Sequence, residues 1–145
     1  MTIICYRDGV MAADSAAGQY SIRLAASVQK ILKTPGGELV ASCGPSTDGQ
    51  AFRRWVLAGR DEMKKPDLSS NFCGLLVEAD GVVKEYDGRM DWAEMTAPFF
   101  VLGSGAETAF GAMAFGASAI EAVEIAIKYC EGCGGPIQIE RLAPR

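Results

Sequence analysis

The sequence predicts an α+β protein built from antiparallel sheets covered by helices. Two observations carry that expectation. Turn chemistry recurs between short β-branched and aromatic runs, at Asp8-Gly9, Thr34-Pro35-Gly36-Gly37 and Ala79-Asp80-Gly81. Gly, Pro and Asp supply the backbone angles that a hairpin requires. Helical patterns, in contrast, arrive in separate blocks rather than after every strand, which argues against the βαβ crossovers of a parallel sheet.

The first strand is expected over 2–7 and its partner over 10–14. A two-residue turn at Asp8-Gly9 then pairs Arg7 with Val10, Cys5 with Ala12, and Ile3 with Asp14. A second pair is expected over 28–33 and 38–43, a third over 72–78 and 82–86, and further strands over 99–102 and 137–142. Helices are expected over 47–57, with Ser46, Thr47 or Asp48 as N-cap, and over 106–115. A third begins at Ser118, where Glu121 completes a capping box. Its polar stripe is narrow, only Glu121, Glu124 and Lys128. Such a helix must be covered on most sides, by its own sheet, with a neighbouring subunit as a candidate for further cover. The charged, Pro-bearing stretch 59–70 reads as a loop.

The 145 residues suit a single domain over 1–145, since no Pro/Gly/Ser-rich linker divides them. An apolar fraction of 49% supplies a core. A net charge of -4 argues against a nucleic-acid or anionic-membrane partner, because both need clustered Lys and Arg. The opening residues lack a basic segment followed by an apolar one, so no signal peptide is expected. The apolar stretch 97–102 is too short to cross a bilayer. A soluble, cytoplasmic protein is the expectation. Cys5, Cys43, Cys73, Cys130 and Cys133 are odd in number and scattered, which reads as buried free thiols in a reducing compartment.

Histidine is absent. Its absence removes Ser-His-Asp and Cys-His nucleophile systems and every His-bearing metal site. Acid–base work falls to Lys, a carboxylate, Tyr, Cys or the chain's own amino terminus. Gly103-Ser104-Gly105 is not a dinucleotide fingerprint, because Thr108 stands where the third Gly is needed. Cys130 and Cys133 form a lone CxxC, and a zinc module would need two more ligands. No cofactor and no metal are expected.

Thr2 follows the initiator methionine and is small enough for Met1 to be removed. A liberated Thr2 carries a hydroxyl and an α-amine, whose reference pKa of about 7.7–8.0 lets it accept the hydroxyl's proton near neutrality. Asp14 ends the second strand, across from Ile3. Lys30 as an ammonium near Thr2 would stabilise an alkoxide, with Asp14 orienting it. Taken singly, Asp14 is an ordinary strand end and Lys30 a solvated side chain; the three together read as a site. Alternation along the strand puts Thr2 and Asp14 on opposite faces, so Asp14 is expected to reach Lys30 rather than Thr2.

The opening TIICYRDGVMAADS resembles the start of proteasome β-subunits and of the bacterial HslV peptidases. In that family a leading Thr, a strand, a turn and a second strand end in a small-small-Asp motif, matched by Ala12-Ala13-Asp14. The family's Lys, sixteen residues beyond the Asp, is matched by Lys30. The hairpin is two residues shorter on each arm than usual, and an equal shortening preserves the facing of side chains. Gly44, after Ala41-Ser42-Cys43, matches the glycine whose N–H forms the oxyanion hole. Ser104, within Gly103-Ser104-Gly105, matches the serine that hydrogen-bonds near the nucleophile's amine, although it could instead cap the helix. Two departures stand out. The loop 59–70 replaces a family helix, and the region of Gly134-Gly135-Pro136 shows no equivalent of the family's further Asp and Ser.

The resemblance implies a four-layer αββα sandwich, the N-terminal-nucleophile hydrolase fold, with one helical layer reduced. It also implies a threonine peptidase acting on a peptide or other amide, a homo-oligomer, and an ATPase unfoldase as possible partner. Small phage and prophage members are the most similar in size and wording. The alternatives are a catalytically silent protein of this fold serving assembly or interaction, and a non-peptide amidase on the same scaffold.

Overall fold

Asp8 and Gly9 both adopt positive φ, 51° and 78°, and the turn they form sets the register on which the site depends. In the computed structural model, which describes residues 2–19 and 22–145, β1 (Ile4–Arg7) and β2 (Val10–Ala13) pair antiparallel with Arg7 opposite Val10 and Cys5 opposite Ala12. The sequence-expected register is the one observed. The fold is α+β, with antiparallel sheets and three α-helices among the described residues. The chain divides into two compact units, Met1–Ile31 with Ala97–Arg141, and Leu32–Thr96 with Leu142–Arg145.

In the first unit, β10 (Phe100–Leu102) and β11 (Gln138–Arg141) flank the hairpin, giving the sheet order β10-β1-β2-β11. The chain's first strand is therefore an interior strand. Helices α2 (Ala106–Ala114) and α3 (Ala119–Tyr129) cover one face. Their Ala109, Met113, Ala122, Val123 and Ala126 bury Ile3, Cys5 and Ala12. Small residues on the helices allow the close approach, and each buried methylene contributes about 0.8 kcal/mol. Ser118 caps α3 in the expected box with Glu121. Ile4 and Met11, which alternate with the helix-facing set, are also fully buried. At the far end of β1, Arg7 donates to the carbonyls of Ala117 and Met113, at 2.5 and 2.9 Å, and stacks its guanidinium on Phe99.

A hairpin of β3 (Ala16–Gln19) and β4 (Ile22–Ser27) completes this unit. The sequence reading did not anticipate it. The strand expected over 28–33 is correspondingly shorter, β5 being Ile31–Lys33. Residues 28–30 leave the ladder because their backbone groups bond elsewhere: Val28 N donates to Ser15 O at 3.0 Å, and Lys30 N to Gln138 Oε1 at 3.0 Å.

The second unit centres on the sheet β5-β6-β7-β8-β9, with β6 Leu39–Cys43, β7 Cys73–Val77, β8 Val83–Tyr86 and β9 Trp92–Met95. Helix α1 (Ser46–Leu57) lays Phe52, Trp55 and Val56 against Val40, Phe72, Leu76, Tyr86 and Met90. Phe52 packs its ring 5.3 Å from Phe72 and 5.2 Å from Tyr86, spacings at which aromatic pairs attract beyond simple burial. The expected side-chain N-cap is not found. Pro45 holds that position without a side-chain hydrogen bond, and the helix starts at Ser46 because proline's fixed φ leads directly into it. Within 59–70 a single 3-10 turn, Glu62–Lys64, is capped by Asp61. Among the described residues, no helix is long and apolar enough to cross a membrane.

Candidate active site

Thr2 leads into β1, half-buried, beside the β10–α2 junction. Its backbone nitrogen donates to Ser104 Oγ at 3.1 Å, and its carbonyl accepts from Gly105 N at 3.2 Å and from Ser104 Oγ at 3.4 Å. Ser104 does not cap α2, whose N-cap is Gly105; its hydroxyl turns to Thr2 instead. The close approach requires Gly103. Its φ is 103°, and a Cβ there would lie 2.1 Å from Thr2 O, far inside van der Waals contact.

Asp14 stands at the end of β2, completely buried. Its Oδ1 accepts from Lys30 Nζ at 2.7 Å and from Ile3 N at 3.0 Å. Its Oδ2 accepts from Gly134 N at 3.0 Å. Asp14 N in turn donates to Ile3 O at 3.2 Å, so the hairpin register itself delivers this carboxylate to the backbone beside Thr2. Lys30, 5% exposed, therefore shares one carboxylate oxygen with the amide of the residue that follows Thr2. Every lone pair used by Asp14 meets an N–H, which is what a buried carboxylate needs.

Three supporting residues escaped the sequence reading. Gln138 on β11 accepts from Lys30 N and donates to Asp14 O and Val28 O, at 3.2 and 2.7 Å. It thus anchors the segment carrying Lys30. Gly134 holds Asp14 Oδ2 and accepts from Ser15 N at 3.0 Å. Ser15 Oγ donates to Pro136 O at 2.6 Å. The stretch Gly134-Gly135-Pro136 thus serves through backbone groups, and backbone groups leave no residue-type signature. Only the polar Gln138, opposite the buried Ala13, could have signalled a role.

Other nucleophiles nearby are suppressed. Burial pushes the Cys5 thiol up to about 12, with Cys133 adding to it, and pushes Cys133 up to about 11, with Asp14 adding to it. Both stay protonated at neutral pH, hence inert. The expectation of buried thiols holds for these two, whereas Cys43, Cys73 and Cys130 are half-buried, at strand and helix ends. Among the described residues no cluster of three metal-ligating side chains occurs.

The structure brings Thr2, Asp14, Lys30 and Ser104 together within the first unit. Gly44 belongs to the second, between β6 and α1. It is exposed, with φ of 110°, and Asn71 O lies 3.0 Å from where a Cβ would stand.

Fold and site together define an α+β protein whose first strand is an interior strand starting beside a buried Lys–Asp pair. No family model and no curated protein matches the chain. Among solved structures it is similar to Thiobacillus denitrificans BPH in complex with epoxomicin, with 20% identity, a TM-score of 0.64 and 99% of each chain covered. It is likewise similar to Thiobacillus denitrificans BPH, with 21% identity, a TM-score of 0.63 and 99% of each chain covered. At these identities the likeness is one of fold.

Proposed function

We propose that the protein is an N-terminal threonine amidohydrolase of the proteasome and HslV type, cleaving peptide bonds with Thr2 after removal of Met1. The carrying observation is the shared oxygen: Asp14 Oδ1 holds both the Lys30 ammonium and the Ile3 amide. A buried cation is thereby fixed beside the Thr2–Ile3 peptide. The bond between Thr2 N and Ser104 Oγ gives the future α-amine a defined partner. Support also comes from epoxomicin, a proteasome inhibitor, found in complex with a protein of the same fold.

In this reading the Thr2 hydroxyl attacks the amide carbonyl while the α-amine takes its proton. Lys30 favours the alkoxide by charge, and Asp14 positions Lys30. For the tetrahedral oxyanion, the family resemblance implies the N–H of Gly44 as donor. Collapse expels the amine, which carries away the proton held by the α-amine, and leaves an ester on Thr2. Water hydrolyses that ester by the same acid–base route, restoring the hydroxyl.

The finer fold we infer is the four-layer αββα sandwich over a single 1–145 domain, with one helical layer reduced. The four-stranded sheet carries α2 and α3 and the five-stranded sheet carries α1, and strands β1 and β2 are buried on both faces, as inner-sheet strands must be. A homo-oligomer acting in the cytoplasm belongs to the same reading.

Intact-mass measurement followed by incubation with epoxomicin tests the proposal. The expected outcome is loss of Met1, then uptake of one inhibitor by the wild type and none by Thr2→Ala. A processed chain that takes up no inhibitor and cleaves no peptide is a silent member of the fold, and the proposal is then wrong.

A further inference from the structure

Cys43 ends β6 and Cys73 begins β7, and the register sets the two directly opposite each other. Opposite residues of an antiparallel pair have Cα atoms about 4.5–5.5 Å apart, inside the roughly 4.4–6.8 Å that a disulfide spans. Side chains alternate along a strand, so both thiols stand on the face that also carries Glu85. The two segments stay close beyond the pair. Gly44 follows Cys43, and a Cβ on it would lie 3.0 Å from Asn71 O and 3.1 Å from Phe72 Cα. Joining the two sulfurs therefore asks for side-chain rotation rather than backbone movement.

Neither thiol is sealed. Both are half-buried, and Cys73 lines an open cleft of about 410 Å³ with Glu85, Asp87, Asp91, Trp92 and Met95. Cys5 and Cys133 differ in both access and charge. They are buried in the core, where burial keeps them protonated. Cys43 is lowered to about 7 by the Cys73 side chain, so a large share of it is thiolate at neutral pH. Cys73 is pushed up, by Cys43 first and then by burial, and its Sγ donates to Glu85 Oε1 at 3.6 Å. One member of the pair is thus a nucleophile and the other a reserve thiol beside a carboxylate, which is what disulfide exchange needs.

We propose that Cys43 and Cys73 form a dithiol site that is oxidised by small cationic disulfides. The Cys43 thiolate attacks one sulfur of a disulfide RSSR, forming a Cys43–SR bond and releasing one RS⁻. With the Cys43 charge gone, the main influence holding the Cys73 proton is removed. Cys73 passes that proton to Glu85 and attacks the Cys43 sulfur; the Cys43–Cys73 bond forms as the second RS⁻ leaves. Two electrons pass from the protein sulfurs to RSSR, and the two thiol protons end on two RSH. The cleft carries the carboxylates of Glu85, Asp87 and Asp91, and among the described residues no Lys or Arg lines it. Arg89 lies 3.9 and 3.4 Å from Asp87 and Asp91, but its side chain is 84% exposed and offsets only part of their charge. The remaining negative potential favours an amine-bearing disulfide over a carboxylate-bearing one. None of this rests on the hydrolase reading.

The test treats the protein at neutral pH with cystamine, a cationic disulfide, or dithiodiglycolate, an anionic one, followed by non-reducing intact mass and peptide mapping. With cystamine the wild type is expected to lose the mass of two hydrogens, to keep no cysteamine, and to yield a linked Cys43–Cys73 peptide that dithiothreitol separates. Thr2→Ala should behave in the same way, so a failure of the hydrolase reading leaves this outcome untouched. Cys73→Ser is expected to keep one cysteamine on Cys43, since nothing resolves the mixed disulfide. Cys43→Ser should react about tenfold more slowly or less. After division by their rates with N-acetylcysteine, cystamine should oxidise the wild type about tenfold faster than dithiodiglycolate, a gap that closes in molar salt. A folded wild type that yields no linked peptide overturns the dithiol site, and that measurement needs no variant to fold. A Cys43→Ser rate equal to the wild-type rate overturns the order of attack. Equal normalised rates for the two disulfides overturn the cationic preference.

Discussion

Lys30 Nζ lies 2.7 Å from Asp14 Oδ1, and neither residue is more than 5% exposed. The same oxygen holds the Ile3 amide, so the ion pair is fastened to the chain's first strand.

Breaking that pair from one side should therefore be severe. Asp14→Asn removes the carboxylate that lies 2.7 Å from the buried ammonium and is expected to cost about 3–5 kcal/mol. Lys30→Met removes the ammonium and leaves Asp14 with its two backbone donors. The double variant should be more stable than Asp14→Asn alone, since it buries no ammonium. Urea midpoints of the four proteins check this; additive losses would mean that the two side chains do not interact.

Ser104 is exposed and touches Thr2 through its hydroxyl. Ser104→Ala should leave the melting temperature nearly unchanged. It should slow epoxomicin uptake about tenfold to hundredfold, the cost of one hydrogen bond to a charged or developing group. An unchanged rate with intact folding would remove Ser104 from the site.

Gly103→Ala drives a methyl group to within 2.1 Å of Thr2 O at a φ of 103°. Strain and overpacking together predict a loss of about 2–5 kcal/mol and no inhibitor uptake. Gly111 on α2 is the control, for a Cβ there meets nothing within 4 Å. Gly111→Ala should gain about 0.8–1 kcal/mol from helix propensity. Calorimetry on both variants decides.

Thiol chemistry gives a pH-dependent test. Cys43 and Cys73 sit directly opposite each other on β6 and β7. The neighbouring Cys73 side chain lowers the Cys43 thiol to about 7. The thiolate is the reacting form and exists above the pKa, so alkylation of Cys43 by iodoacetamide should rise with a midpoint near pH 7. Cys5 and Cys133, pushed up to about 12 and 11, should resist until the protein is unfolded. Cys73→Ala should move the Cys43 midpoint upward. Peptide mapping after pulsed alkylation reads all of these.

What could be read from the sequence was local. Asp8-Gly9 specified a turn with two positive-φ residues, and the turn specified which residue faces Ile3. Ser118 and Glu121 specified a helix start in the same way. The hairpin β3–β4 went unread because Ala16, Ala17, Gly18, Ala25 and Ala26 carry little strand propensity, and a bulge between Ala16 and Ala17 breaks the alternation. Strand β9 went unread because all four of its residues are exposed, so no buried face marks it. The contacts that hold Lys30 and Asp14 in place come from Gln138 and Gly134, more than a hundred residues along the chain, and no local pattern encodes a partner at that distance.

The position of β1 between β10 and β2 carries a last consequence. Chain ends ordinarily fray, and a reactive group on one would lose orientational freedom only as substrate arrives. Here that loss is met during folding, with Arg7 clamped to two helix carbonyls at one end of the strand and Ser104 bonded beyond the other. On the hydrolase reading proposed above, a Thr2 nucleophile presented from such a segment would be aligned before any encounter, and the entropic share of its activation barrier would already be small when substrate arrives.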